Sequence, residues 1–171
     1  MTALRAAAVG LVKNLSWDEI CYALEHSNNQ LRMRVTRTAG GAVLIDDTYN
    51  ASPESTTAAL NLLSEMKGRK IAVLGEMREL GQYEKKGHEM VGKRAAEVCD
   101  EIIAVGPVTG YLADAALSEG FPAEKIHRFE TAVESIPFLQ ENFGHDQEVM
   151  LIKGSRGMRM EQIVNALEEN K

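Results

Sequence analysis

Lys153, Ser155, Arg156 and Arg159 fall in one short run, KGSRGMR, that carries three positive charges and no negative one in an otherwise acidic chain. The run follows a continuously apolar segment and precedes a helical pattern. Its glycines allow close backbone approach, a helix N-terminus offers free N–H groups, and Lys153, Ser155 and Arg156 add donors suited to a carboxylate or phosphate. The alternative is a solvated basic turn, but cations at a helix start oppose its dipole unless an anion is present. A second candidate is Asp46–Ser55 (DDTYNASPES), with adjacent carboxylates ahead of Tyr49 and Asn50. A carboxylate there suits ribose hydroxyls or a metal-bound water, and a tyrosine ring suits a base. The same residues also serve as ordinary turn and cap hydrogen-bonders. His88 shares a helical face with Val91, Ala95 and Val98, which reads as a satisfied histidine at the margin of a core. His26, His127 and His145 are scattered, and none has a cysteine or carboxylate at metal-ligand spacing. Neither GxxxxGK[ST] nor GxGxxG occurs, so a phosphate loop or dinucleotide fingerprint is not part of this chain.

Positioning these groups requires strands and helices in alternation. Val43–Ile45, Ile71–Leu74, Ile102–Val105 and Val149–Ile152 are too short for helices and apolar throughout, as strands covered on both faces are. Between them, Ser52-Pro53 supplies an N-cap and an N1 proline for a helix whose face is expected at Ala58, Ala59, Leu62, Leu63 and Met66, ending at Gly68. Further helices are expected over about 84–98, 108–117, 131–143 and 158–168, the last with Met160, Ile163, Val164 and Leu167 inward, and a further strand at Ile126–Phe129. Pro137 leaves the start of the 131–143 helix open. The pattern predicts an α/β fold: a Rossmann-like open, mostly parallel sheet with helices on both faces. In such sheets ligands bind beyond the carboxyl ends of the strands, where Asp46-Asp47, Gly75-Glu76, Gly106-Pro107 and Lys153–Arg156 fall.

Ahead of this pattern lie two helices. Ala3–Lys13 is Ala-rich, its uncharged run is short and followed at once by Lys13, and it reads as a helix rather than a leader. Ser16 and Glu19 form a capping box for a second helix with Trp17, Ile20, Cys21 and Leu24 along one face. His26–Gln30 (HSNNQ) reads as a linker.

The whole chain has 171 residues, with 19 Lys and Arg against 25 Asp and Glu, a net charge of −6. That balance argues against nucleic acid or an anionic membrane as partner, and no apolar window has the length for membrane insertion. Cys21 and Cys99, the only cysteines, lie far apart and suit a reducing, cytoplasmic location.

Taken in order, IDDTYNASPEST (Ile45–Thr56), KIAVLGEMRELG (Lys70–Gly81), GHEMVG (Gly87–Gly92) and LIKGSRGMRME (Leu151–Glu161) resemble the C-terminal part of a Mur ligase over nearly the whole chain. The YNASP and KGSRGMRME elements point, within that family, to the branch that adds D-Ala-D-Ala to UDP-MurNAc-tripeptide in peptidoglycan precursor synthesis. The resemblance implies an ATP-dependent ligase acting through an acyl phosphate. Its cofactors in full length are ATP and Mg²⁺, and its partners UDP-MurNAc-tripeptide, D-Ala-D-Ala and ATP. Residues 1–27 then correspond to a helical remnant of the central ATPase domain and residues 28–171 to the C-terminal domain. The family's P-loop lysine, Mg²⁺ ligands and carbamylated lysine have no counterparts here, so the piece is expected to be inactive alone and to require no cofactor itself.

By the same resemblance Arg32 reaches the ATP phosphates, Asp47 binds the ribose, and Tyr49 and Asn50 lie beside the nucleotide. Lys153, Ser155 and Arg156 hold the incoming dipeptide, with His88 as a site or supporting residue. Two other readings stay open. One is a stand-alone α/β module that captures a small carboxylate or phosphate; the other is the C-terminal domain of a related amide ligase of the folylpolyglutamate or cyanophycin synthetase type, against which YNASP and KGSRGMRME weigh.

Overall fold

The computed structural model describes residues 2–26 and 33–168. The chain divides into two compact units, Met1–Leu31 and Arg32–Lys171.

The first unit is a helical hairpin of α1 (Thr2–Val12) and α2 (Trp17–His26). Asn14 turns the chain with a φ of 58°. The capping box forms as expected: Glu19 N–H donates to Ser16 Oγ at 3.3 Å, and Ser16 N–H donates to Glu19 Oε2 at 2.8 Å. The Ser16 hydroxyl, donating to the same Glu19 Oε2 at 2.7 Å, and the Ser16 N–H hold the Glu19 carboxyl below its usual range. The helices meet through Gly10, where a Cβ would lie 2.7 Å from Ile20 Cγ1. This contact covers Ile20 but not Trp17, which is exposed although its spacing places it with Ile20. A single small-residue partner helix is too narrow to cover the whole apolar stripe.

The second unit is a six-stranded sheet between two helical layers. Its elements are β1 (Arg34–Arg37), β2 (Val43–Asp47), α3 (Pro53–Glu65), β3 (Arg69–Gly75), α4 (Glu84–Val98), β4 (Glu101–Val105), α5 (Gly110–Ser118), β5 (Ile126–Phe129), α6 (Ala132–Asn142), β6 (Glu148–Lys153) and α7 (Glu161–Leu167). The strand order is β1-β2-β6-β3-β4-β5. Only β1 runs antiparallel to its neighbour. Alternate strand residues enter two cores. Ile45, Ala72, Leu74, Ile102 and Leu151 pack with Leu60, Val91, Ala95 and Leu112 of α3, α4 and α5. Leu44, Ile71, Val73, Ile103, Met150 and Ile152 pack with Leu139, Ile163 and Val164 of α6 and α7. Because both faces are covered, the polar alternation of a half-exposed strand disappears, which is why these strands read as unbroken apolar runs.

Local signals account for the element ends. Ser52 and Ser55 cap α3 reciprocally, with Ser55 N–H donating to Ser52 Oγ at 3.2 Å. Thr131 caps α6, and Pro137 lies within that helix on its exposed side. The inward face of α3 is Thr56, Ala59, Leu60 and Leu63, with Ala58 and Leu62 exposed. That corrects the expected face by about one residue's rotation. Thr56 faces inward because its hydroxyl finds Met77 Sδ at 3.7 Å. The expected helix at 158–168 begins at Glu161, after a 3₁₀ turn at Arg156–Met158.

Candidate functional site at the carboxyl edge of the sheet

The chain visits the central strands in an order that creates a crevice. It passes from β2 through α3 to β3, continues outward to β4 and β5, and returns through α6 to place β6 between β2 and β3. All of these strands are parallel, so Asp47, Gly75 and Lys153 end at one edge. Residues separated widely in sequence meet there.

Pairing of β2 with β6 sets Asp47 opposite Lys153. The Lys153 ammonium donates to Asp47 Oδ2 at 2.6 Å and to the Asn50 carbonyl at 2.8 Å. Lys153 is 2% exposed and Asp47 is buried. This pair satisfies two groups whose isolated burial would be costly, and it ties the Thr48–Asn50 turn to the sheet. Asp46 completes that turn, accepting from Thr48 N–H at 3.2 Å and from Thr48 Oγ1 at 2.7 Å. Tyr49 and Asn50 are exposed beyond it.

The loops after β3 and β6 cross closely. A Cβ on Gly75 would meet Met160 Sδ at 2.9 Å, and one on Gly154 would meet Met160 Cγ at 2.8 Å and the Gly75 Cα at 3.2 Å. Glycine at both positions lets the two backbones touch over Met160. Just past this crossing, Ser155 N–H donates to the Glu76 carbonyl at 2.9 Å, and Arg78 N–H donates to Ser155 Oγ at 2.8 Å. Between them, Met77 N–H donates to His88 Nε2 at 3.0 Å. His88 is 0% exposed. Its Nε2 accepts, so Nδ1 carries the proton and donates to the Glu84 carbonyl at 2.8 Å. Glu76 is also buried, accepting from Val108 N–H at 3.2 Å and from Arg78 Nε at 3.3 Å.

Of the donors expected on the KGSRGMR turn, Lys153 and Ser155 are thus buried and engaged within the protein. Arg156 is exposed, makes no ion pair among the described residues, and places its guanidinium carbon 6.0 Å from the Tyr49 ring centroid. Arg159 is exposed too, in the left-handed region at φ 54°, with Glu161 at 3.9 Å. Asp47, Tyr49, Asn50, Lys153, Ser155 and Arg156 therefore lie together at one edge, while His88 stands behind it as a buried support. Arg32 lies outside the described residues. Glu76 falls in an expected strand-end segment, whereas Arg78, beside it at this edge, was not singled out; its sequence signal is a charge two residues after Glu76, past a strand-ending glycine. Among the described residues no group of three or more His, Cys, Asp or Glu side chains is gathered to hold a metal ion. The described residues of this edge therefore do not supply a donor set for Mg²⁺.

Fold and edge together define an α/β domain of the doubly wound type, with an arginine and a tyrosine presented where such sheets bind ligands. The family model for "Mur ligase, glutamate ligase domain" matches residues 31–156, and the chain belongs to that family. A UDP-N-acetylmuramoyl-tripeptide–D-alanyl-D-alanine ligase of Escherichia coli is 35% identical over 98% of this chain and 36% of its own length. The ligase of the same name from Bacillus subtilis is 29% identical over 99% of this chain and 38% of its own length. This chain therefore spans well under half of these relatives. A crystal structure of MurF from Acinetobacter baumannii superposes with a TM-score of 0.68 at 33% identity, covering 95% of this chain and 36% of that one. MurF ligase from Thermotoga maritima in complex with ADP gives 0.65 at 29% identity, covering 79% of this chain and 30% of that one. A folylpolyglutamate synthase from Mycobacterium tuberculosis, at 15% identity and 0.54, shares the fold alone.

Proposed function

We propose that this chain is the C-terminal, substrate-closing domain of an ATP-dependent ligase that joins D-Ala-D-Ala to UDP-MurNAc-tripeptide in peptidoglycan precursor synthesis. The observation that carries the reading is the likeness, along nearly the whole chain, to ligases named for that reaction. The edge geometry agrees with it. In this reading the tripeptide carboxylate is activated by ATP as an acyl phosphate, and the dipeptide amine displaces phosphate to form the amide. Mg²⁺, when bound in the whole ligase, supplies charge neutralisation on the phosphates.

This chain's residues act by binding and orientation. Arg156 offers a planar, permanently charged donor pair to an oxyanion, the dipeptide carboxylate. Tyr49 and Asn50 border the nucleotide, and Asp47 faces the ribose from the floor of the edge. Arg32 belongs to the nucleotide side by family resemblance. Lys153, Ser155 and His88 support the site by fixing the loops that carry Tyr49 and Arg156, rather than by touching the ligand. Lacking a phosphate loop, the chain alone forms no ADP. The cytoplasmic location expected of such an enzyme fits its two free thiols, Cys21 and Cys99.

A chimera tests the proposal: this chain replaces the corresponding segment of the Escherichia coli relative. ADP formation that requires both UDP-MurNAc-tripeptide and D-Ala-D-Ala, and that falls with Arg156→Ala, is the expected result. A folded chimera that accepts glutamate but not the dipeptide would move the chain to the folylpolyglutamate type.

A further inference from the structure

We infer that Arg78 is a second oxyanion-binding arginine of this edge, and that Ser155 and His88 are the positioning residues that aim it. The inference rests on the reading of Arg156 given above and extends it to the facing loop.

Three successive backbone groups of the loop after β3 are pinned. The Glu76 carbonyl accepts from Ser155 N–H, Met77 N–H donates to His88, and Arg78 N–H donates to Ser155 Oγ, at 2.9, 3.0 and 2.8 Å. Two of these partners are nearly or wholly inaccessible side chains drawn from β6's loop and from α4. Glu76 and Met77 are buried and need such partners, but Arg78 is exposed and its N–H can bond to water, so the Ser155 hydroxyl is not required there for stability alone. Glu79, directly after, takes the left-handed region at φ 66°, which costs a non-glycine residue energy and turns the chain sharply away. The anchored loop therefore presents Arg78 at its apex.

The side chain is braced as well as the backbone. Buried Glu76 accepts from Val108 N–H with Oε1 and from Arg78 Nε with Oε2. Contact through Nε orients the guanidinium while leaving both Nη groups for another acceptor, and among the described residues neither makes a hydrogen bond. Arg78 Nη1 rests on Gly157, where a Cβ would come within 2.6 Å. Gly157 is the residue after Arg156. Arg78 thus reaches across to the loop that carries exposed Arg156, and among the described residues Arg156 makes no ion pair and Arg78 one, with Glu76. A carboxylate or phosphate group of a small ligand matches that arrangement, held from both sides.

A nitrogen-15 NMR titration of this chain tests it, with D-Ala-D-Ala in one arm and ATP in the other, because a carboxylate and a phosphate share this chemistry. The expected result is that the Nε–H signals of Arg78 and Arg156 and the Gly157 amide shift together with one of the two. Arg78→Gln should weaken that ligand roughly three- to tenfold, the loss of one charge-assisted contact. Gly157→Ala is tolerated by the backbone and displaces only the end of a flexible side chain. It should therefore weaken binding about as much as Arg78→Gln, while the double variant is no worse than either. A merely structural Arg78 would show no such coupling. If Arg156→Ala weakens binding and both Arg78→Gln and Gly157→Ala leave it unchanged, the inference fails and the Arg156 reading stands. If neither ligand titrates any of these signals up to tens of millimolar, both fail.

Discussion

The Lys153 ammonium sits 2.6 Å from Asp47 Oδ2, inside the protein, and so joins the last strand of the chain to the second across 106 positions of sequence. Removing one partner leaves the other charged and buried, whereas removing both leaves an apolar site. Lys153→Met should therefore destabilise the domain by about 3–5 kcal/mol, and adding Asp47→Leu should recover most of that loss. Urea unfolding of the two variants beside the parent measures this. Equal destabilisation of the single and double variants would show that the pair contributes packing rather than charge compensation.

The two cysteines should differ sharply in reactivity. Cys99 is buried, and desolvation, aided by neighbouring Asp100, pushes its thiol up to about 12. Its thiolate, the reactive form, is accordingly scarce near neutral pH. Cys21 is half-exposed on α2. A chromogenic disulfide reagent at pH 7 to 8 should titrate one thiol quickly and the second only in denaturant, with Cys21→Ser abolishing the fast phase. Rapid reaction of the Cys21→Ser protein would mean that the α4–β4 junction opens readily.

How much of this could be read beforehand depends on the range of the interaction. The four apolar runs at 43–45, 71–74, 102–105 and 149–152 are all strands, because continuous burial leaves a local mark. β1 left none: Arg34–Arg37 is mostly exposed, charged at both ends and held at the sheet margin by pairing with β2 alone. The face of α3 slipped because Thr56, polar by type, turns inward. At the edge, the candidate segments were visible as polar strand ends, but their partners were not. The strand order that sets β6 between β2 and β3 decides that Lys153 meets Asp47, and that Ser155 reaches the Glu76–Arg78 loop. Neither spacing nor composition carries that order, so residues that look like free donors in sequence are committed within the fold.

The first helical unit carries its own pH dependence. Ser16, through its hydroxyl and its backbone N–H, holds the Glu19 carboxyl below the ordinary 4.5. A depressed carboxyl stabilises the folded form above its unfolded value, and that contribution is lost as pH falls through the lower, folded value. The α2 N-terminus should therefore begin to fray only below pH 4.5. Carbon-detected NMR titration of Glu19 should show the low midpoint, and Ser16→Ala should raise it toward the ordinary value. An unchanged midpoint in that variant would place the cause elsewhere.

His88 tests whether a buried side chain can serve the edge without reaching it. Among the described residues its Nε2 is the acceptor for Met77 N–H, and its Nδ1 donates to the Glu84 carbonyl one helical turn back. Gln at this position can place an amide oxygen near the Nε2 site, whereas Asn reaches only as far as Nδ1. His88→Asn and His88→Ala should each leave the Met77 N–H unpaired, at a cost of about 1–3 kcal/mol before any cavity contribution. His88→Gln should lose less. Hydrogen exchange at the Met77 amide separates this from general loosening: it should accelerate in the Asn and Ala variants and stay protected in the Gln variant, while the amides of β4, which pairs on the other side of β3, remain slow in all three. Uniform acceleration across the sheet would assign His88 to core packing alone. Selective acceleration at 76–78 would identify it as the residue that sets the loop facing Arg156.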